Sequence, residues 1–183
     1  MQIVSRVPFE YNDPVDLDFF LDYLRVDGSE AHVALYFADA AKVELERYCQ
    51  IALFHEEVTV LTGKFPGRFI ELPIGPGRDD EFVLVKQVET NGDTTAIMDG
   101  WRFSGGRYPS VTFDDEPAGP LLISYTAGFA EDVYGVPRDL KLAICDLALR
   151  LYDQRGDTTN TPATFPPAAA RIAARYRRVR LDA

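Results

Sequence analysis

The sequence predicts an α+β fold with a helical core of about four helices, an inserted small antiparallel β lobe and a C-terminal helical tail. Three observations lead to this prediction. Residues 31–50 contain neither glycine nor proline and carry apolar side chains at helical spacing. The middle third alternates short apolar runs with glycine and proline, which is typical of short strands. After residue 136 the helical spacing of apolar residues returns.

Two helices are expected within residues 14–50. Asp13 can cap a helix that begins at Pro14, because the first helical position does not need a backbone N–H. Apolar residues follow at helical spacing, namely Leu17, Phe20, Leu21 and Leu24. Asp27-Gly28 ends this helix, and Ser29 can cap the second one.

A β lobe is expected over about 51–128. Glycine and proline separate six strand-like runs: Glu57–Leu61, Arg68–Leu72, Phe82–Glu89, Thr95–Phe103, Ser110–Phe113 and Leu121–Thr126. Asn91-Gly92 is the strongest hairpin signal, because both residues tolerate the positive φ of a tight turn.

The third helix is expected over 137–155, with Gly156 at its left-handed end. It carries apolar residues at intervals of four, three and four: Leu140, Ile144, Leu147 and Leu151. It should pack against the helices of 14–50, so that residues 1–156 form one domain with the β lobe inserted. Residues 157–167, rich in threonine and proline, are expected to be a linker, and 168–183 an arginine-rich helix.

Composition and charge narrow the class of protein. The chain is 46% hydrophobic and contains 12 Phe, 9 Tyr and 1 Trp, which predicts a packed globular protein. Its net charge is −10, but residues 161–183 hold five arginines and one aspartate, a net +4. The other residues hold 14 basic and 28 acidic side chains, a net −14. A body this acidic is a poor nucleic-acid binder.

Three acidic clusters allow a carboxylate- or metal-dependent hydrolase as one hypothesis: Asp79-Asp80-Glu81, Asp114-Asp115-Glu116 and Glu131-Asp132. Each lies in a predicted turn, where aspartate is common for backbone reasons, so solvated loops are the favoured interpretation. His32 and His55 do not form a zinc pattern, and Cys49 and Cys145 have no CxxC spacing, which favours buried thiols in a reducing compartment. We therefore predict no catalytic, metal or cofactor site.

The arginine-rich tail admits three interpretations. It can bind nucleic acid, cover an acidic surface of a partner, or pair with the acidic body of its own chain. The first of these is the main alternative function, a nucleic-acid-binding protein acting through its C-terminal helix. No stretch approaches the ~20 apolar residues of a membrane span, and the N-terminus lacks the apolar run of a signal peptide. We expect a protein made in the cytoplasm with no membrane partner.

A family resemblance runs over about residues 14–156. In order along the chain, the sequence resembles the head–tail connector (adaptor) proteins of long-tailed phages at Pro14-Val15, Leu17, Leu24-Arg25-Val26-Asp27, Ala40-Ala41-Lys42-Val43-Glu44, Tyr48, Leu72-Pro73, Pro76, Tyr125-Thr126-Ala127-Gly128, Val136-Pro137, Leu140-Lys141, Ala143-Ile144, Leu147, Leu151-Tyr152 and Gln154-Arg155-Gly156. Gene transfer agents, which are domesticated phage-like particles, carry similar adaptors. Phe19-Phe20 and Tyr36-Phe37 are more aromatic than this family leads one to expect, which indicates either a different neighbour contact or a different core.

The resemblance implies a structural protein and not an enzyme, located in the virion neck and assembled in the bacterial cytoplasm. Copies would form a ring, commonly twelve-fold, between the portal protein and a tail-side stopper or tail terminator protein. The resemblance further implies that the C-terminal helix docks on the portal through Arg171, Ile172, Arg175, Tyr176, Arg177, Arg178, Val179 and Arg180. DNA would pass through the ring without specific binding. Since like charge disfavours adhesion, the loops of Asp79, Asp80, Asp114 and Asp115 are expected to face this channel.

Overall fold

The computed structural model describes residues 1–64, 67–156 and 165–178. The chain divides into two compact units. The β unit contains Met1–Glu10 and Phe54–Phe129, and the helical unit contains Tyr11–Leu53 and the chain from Ala130 onward. Four α-helices and two antiparallel sheets occur in the described part, so the predicted α+β class is confirmed.

The helical unit contains α1 (Leu17–Leu24), α2 (Ala31–Cys49), α3 (Arg138–Asp153) and α4 (Pro167–Tyr176), with a 3₁₀ turn at Gly28–Glu30. The first helix begins three residues later than predicted. Asp16, not Asp13, caps it, because the Asp16 carboxylate accepts a hydrogen bond from the Phe19 N–H at 2.9 Å. α4 begins one residue before the predicted position, and the predicted helical positions 179–183 lie outside the described residues.

The core of the helical unit lies between α2 and α3. α2 buries a stripe of small residues and one leucine, Ala34, Ala38, Ala41 and Leu45, against buried apolar residues of α3 that include Leu140 and Ile144. Alanines on this stripe let the two helix backbones approach closely. The helices run antiparallel, since Phe37 near the start of α2 makes an edge-to-face contact of 5.6 Å with Tyr152 near the end of α3.

The described residues of the β unit form eight strands: β1 (Gln2–Pro8), β2 (Glu56–Leu61), β3 (Phe69–Glu71), β4 (Val83–Val88), β5 (Thr94–Ala96), β6 (Trp101–Ser104), β7 (Ser110–Phe113) and β8 (Leu121–Ala127). One sheet has the order β1-β2-β8-β4-β5, and the other has the order β3-β7-β6. All neighbouring strands are antiparallel. The Asn91-Gly92 hairpin is confirmed, because β4 pairs with β5 and Gly92 has a φ of 89°.

The predicted strand Thr95–Phe103 is wrong as a single element. It is divided between β5 and β6, which belong to different sheets, and Gly100 between them has a φ of 75°. A positive φ lets the chain leave one sheet and enter the other. The edge strand β1, which the sequence analysis did not identify, pairs with β2.

One face of the larger sheet forms the core of the β unit. Alternate residues of the central strands are fully buried, including Val58, Val60, Ile123 and Tyr125. The buried Tyr125 hydroxyl has its hydrogen bonds satisfied: it donates to the Ile74 carbonyl at 2.9 Å and accepts from the Ile74 N–H at 3.0 Å.

Candidate functional site

The C-terminal helix α4 is packed on the helical unit. Its inner side buries Ala169, Ile172 and Ala173, and it contacts both α2 and α3. The Cys49 thiol lies 3.5 Å from the Ala173 carbonyl oxygen, and the Arg178 N–H donates to the Cys49 carbonyl at 3.1 Å. α4 is therefore an integral helix of this unit.

Asp139, in the first turn of α3, fixes the end of α4. Its Oδ1 accepts a hydrogen bond from the Tyr176 hydroxyl at 2.7 Å, and its Oδ2 lies 3.3 Å from Arg175 Nη2. The pKa of Tyr176 is raised to about 12. Partial burial is the larger cause, and the hydrogen bond to Asp139 is the second. For Arg175 the structure thus shows the pairing with the chain's own acidic body that the sequence left open.

Tyr48 on α2 makes a second anchor for the C-terminal segment. Its ring lies 4.7 Å from the Phe165 ring, and the Arg177 guanidinium lies 5.2 Å from the Tyr48 centroid. This distance is within the range of a cation–π interaction.

The structure divides the predicted portal-docking residues into groups. Ile172 and Arg178 are buried in the helical unit, and Tyr176 is half-buried. The exposed members are Arg171, Arg175 and Arg177. Val179 and Arg180 lie outside the described residues. The docking role stays a prediction, and the side chains that a partner can reach while α4 is packed are the three exposed arginines.

The acidic loops of the β unit have structural partners. Asp79 Oδ1 accepts a hydrogen bond from the Gly105 N–H, and a Cβ at Gly105 would meet that same carboxylate. Asp80 pairs with Arg78 at 2.7 Å. Asp79 therefore holds the turn between β6 and β7.

Asp114 lies at the other end of the β6–β7 hairpin. Its N–H donates to the Gly100 carbonyl at 2.8 Å, and its carboxylate lies 3.6 Å from exposed Arg102. Since β6 separates Gly100 from Gly105, the Asp79 and Asp114 loops lie at opposite ends of one hairpin. No local sequence pattern distinguishes the positions of these two loops. A channel-facing role for either loop stays a prediction.

The described residues do not contain a group of three or more histidine, cysteine, aspartate or glutamate side chains arranged to hold a metal ion. Cys49 and Cys145 are free and buried, and burial is the main cause that raises the pKa of each thiol to about 12. In the part of the chain that the structure describes, no helix is long and apolar enough to cross a membrane.

A tyrosine patch, defined as Tyr11, Asp13, Tyr36 and Asp39, lies on the surface of the helical unit. The side chains of Tyr11 and Tyr36 are 76% and 72% exposed. The Tyr11 hydroxyl donates to Asp39 Oδ2 at 2.7 Å, and this bond is the main cause that raises the pKa of Tyr11 to about 12. Asp13 and Tyr36 also act on the Tyr11 hydroxyl electrostatically. No local sequence pattern joins Tyr11 to Asp39, although the unusual aromatic pair Tyr36-Phe37 was a signal.

A second surface of the same unit, the α1–α3 groove, is lined by Val15, Asp16, Phe19, Arg138, Lys141 and Leu142 and has a volume of about 330 Å³. Phe19 and Leu142 are 52% and 41% exposed there. The aromatic pairs noted in the sequence are thus split between core and surface. Phe20 is buried and Phe37 packs on Tyr152, whereas Phe19 and Tyr36 point to solvent.

Comparison with protein families finds no family that matches the sequence. No curated protein matches it either. The fold, in contrast, is similar to that of chains in solved structures of particles. One is described as the virion of a native gene transfer agent (GTA) particle, with a TM-score of 0.77 and 24% identity over 97% of both chains.

Two further structures are of particle necks. The neck of an empty GTA particle, computed with C6 symmetry, has a chain that matches with a TM-score of 0.76 and 23% identity over 97% of both chains. The neck of a native GTA particle, computed with C12 symmetry, gives a TM-score of 0.77 and 25% identity over 99% of this chain and 97% of that one. The match covers both the helical unit and the β unit.

Proposed function

We propose that this protein is a structural subunit of the neck of a gene transfer agent or related tailed-phage-like particle. More specifically, it is a head–tail connector (adaptor) whose copies form a ring between the portal protein and a tail-side stopper or tail terminator. The observation that carries the proposal is the full-length fold similarity to chains of GTA necks, with 97–99% of this chain covered and a TM-score of 0.76–0.77. The independent adaptor resemblance of residues 14–156 supports the finer assignment.

A ring with twelve copies is consistent with the C12 symmetry used for one of those neck structures. In this proposal the protein acts by shape and surface chemistry and not as an enzyme. Its place is the particle neck, after assembly in the bacterial cytoplasm.

The exposed side of α4 is the proposed portal-docking surface. Arg171 and Arg175 project from it, and Arg177 directly follows its last residue, while the opposite side is anchored by Ile172 and Tyr176. Arginines fixed on an anchored helix lose less conformational freedom on binding than arginines on a loose tail. An acidic portal surface is the complementary partner.

The test is co-sedimentation of the purified full-length protein with DNA-filled heads that lack tails, with heads that also lack portal protein as the control. We expect binding only when portal is present. Absence of binding to portal-containing heads would contradict the proposal.

The docking surface needs its own variant, because deleting residues 161–183 removes a packed helix together with its charge. Exchange of Arg171 for glutamate changes an exposed side chain of α4 and leaves the Arg175–Asp139 and Arg177–Tyr48 contacts in place. Glutamate at Arg47, which is exposed in α2, is the matched control. If both variants bind heads equally well, Arg171 is not part of the docking surface.

A further inference from the structure

The charged side chains of the tyrosine patch and of the α1–α3 groove are of opposite sign, and in both surfaces they lie beside exposed aromatic rings. The patch carries two carboxylates, Asp13 and Asp39, beside two exposed rings. The groove has two cations, Arg138 and Lys141, around an apolar floor. Its one carboxylate, Asp16, caps α1 and lowers the net charge of the lining residues to +1.

The groove has room for an aromatic side chain. Its lining is mostly apolar, and its volume of about 330 Å³ leaves Phe19 and Leu142 partly exposed at its edge. Large exposed aromatic residues are the side chains most often buried at protein interfaces. A ring entering the groove would cover the Phe19 ring, and Arg138 at the edge can interact with both the ring face and a neighbouring carboxylate.

We propose that the tyrosine patch of one copy binds the α1–α3 groove of a second copy. Tyr36 enters the groove beside Phe19 and Leu142, and Asp39 faces Arg138. This inference rests on the proposed function, in which copies of the chain form a ring.

Charge complementarity identifies the occupant. Each chain has a net charge of −10, so two copies repel each other unless oppositely charged surfaces are brought together. The patch and the groove share no residue, and in a ring the patch of each copy binds the groove of the next, which is a heterologous contact. Each bound copy keeps one patch or one groove free for the next copy, and a contact of this kind closes as a ring when its rotation permits.

The test is cross-linking between two full-length variants, each carrying one new cysteine next to, but not within, a proposed surface. Ala40→Cys lies one helical turn from Tyr36, and Asp22→Cys lies one turn from Phe19; both positions are exposed. Native Cys49 and Cys145 are buried and do not compete. The variants carry different affinity tags and are mixed at about 1 mM, the concentration that half-saturates a weak contact. A short bis-maleimide joins neighbouring thiols.

We expect the mixed pair to cross-link at least tenfold faster than a pair of Ala40→Cys with Met98→Cys, whose position is 84% exposed in the β unit. Asp39→Arg in the first chain, or Arg138→Asp in the second, should each reduce the rate by about tenfold. Combining the two changes, Asp39→Arg in the first chain and Arg138→Asp in the second, should restore the cross-linking rate. Because Asp39 also holds Tyr11, Asp13→Arg is a second variant that changes the charge of the patch and keeps that bond.

A rate no higher than that of the Met98 pair, or a loss that the opposite exchange does not restore, overturns the inference. The two proposals fail separately. If the wild-type chain binds portal-containing heads and these cross-links are absent, copies meet through other surfaces and the neck assignment stands. If the cross-links form and heads are not bound, the contact stands and the neck assignment fails.

Discussion

The Tyr176 hydroxyl donates a 2.7 Å hydrogen bond to Asp139, and this bond joins the end of α4 to the first turn of α3. Tyr176→Phe removes the hydroxyl and keeps the packed ring. We expect the free energy of unfolding to fall by about 1 kcal/mol, the usual net contribution of one hydrogen bond. Urea denaturation measures this change in the free energy of unfolding. Tyr134→Phe changes a side chain that is 79% exposed and is the matched control; equal effects of the two variants would contradict the anchoring role.

Burial of Tyr176, together with the same bond, predicts a pH dependence. The pKa of Tyr176 is raised in the folded protein from 10.0 to about 12, so the unfolded chain releases this proton at lower pH than the folded one. The stabilisation is therefore fully present below pH 10 and is lost as pH rises through 12. We expect the free energy of unfolding to decrease over this interval, and to decrease less steeply in Tyr176→Phe. Tyr11, with a pKa also raised to about 12, contributes to the slope that remains.

Packing of α4 predicts which cysteine reacts first. Cys49 lies beneath Ala173, whereas Cys145 lies within α3, so local detachment of α4 uncovers Cys49. Ile172→Asp places a charge on the buried side of α4 and should accelerate the labelling of Cys49 by a thiol reagent at least tenfold over that of Cys145. Arg171→Asp, at the exposed neighbouring position, should leave both rates unchanged. Mass spectrometry of the labelled peptides distinguishes the two sites. Parallel acceleration of both cysteines by Ile172→Asp would indicate global unfolding instead.

Gly128 follows β8 and is expected to be intolerant of substitution. Its φ is 139°, and an added Cβ would lie against the backbone carbonyl of Phe54. Gly128→Ala should therefore lower the free energy of unfolding by about 3 kcal/mol. Gly63→Ala, in the same unit, meets no atom within 4 Å and is the control. Denaturation curves of both variants decide the point, and comparable stabilities would show that the loop after β8 relaxes.

The sequence predicted those elements whose signal is local. The bounds of α2 were predicted to within one residue, because its nineteen residues contain no glycine or proline and its buried side chains form one stripe. The Asn91-Gly92 hairpin also depends only on adjacent residues. β1 was missed because an edge strand exposed along most of its length has no apolar alternation, and its partner β2 lies about fifty residues away.

The candidate surfaces were predicted only in part for the same reason. The arginine-rich tail was recognisable, but its division into buried and exposed residues depends on Asp139 and Tyr48, which lie 37 and 129 positions before their partners Tyr176 and Arg177. The tyrosine patch joins Tyr11 to Asp39 across 28 positions. One sequence contains no local pattern that pairs residues at such separations.

The Asp79 and Asp114 loops lie at opposite ends of the β6–β7 hairpin, and this separation leads to a prediction for DNA passage through the proposed ring. Asp80 is already paired with Arg78 at 2.7 Å, and its charge is partly compensated. At the other end of the hairpin, Asp115 is exposed beside Asp114, whose contact with Arg102 is longer, at 3.6 Å, and fully exposed pairs contribute little. Arg68 also lies at this end and donates to the Asp114 carbonyl at 2.8 Å, so the acidic residues at both ends of the hairpin have cationic neighbours.

We expect a lysine at whichever end faces the DNA, Asp115→Lys or Asp80→Lys, to slow DNA ejection from assembled particles, because a new cation attracts the phosphate backbone. The effect should weaken as salt is raised, since counterions screen this attraction. Ejection is followed by the fluorescence of a DNA-binding dye outside the particle. Glu44→Lys on α2 makes the same charge change in the helical unit and is the control. If Asp115→Lys and Glu44→Lys eject DNA at the wild-type rate, the Asp114 end of the hairpin does not face the DNA; if Asp80→Lys alone is slow, the opposite end does.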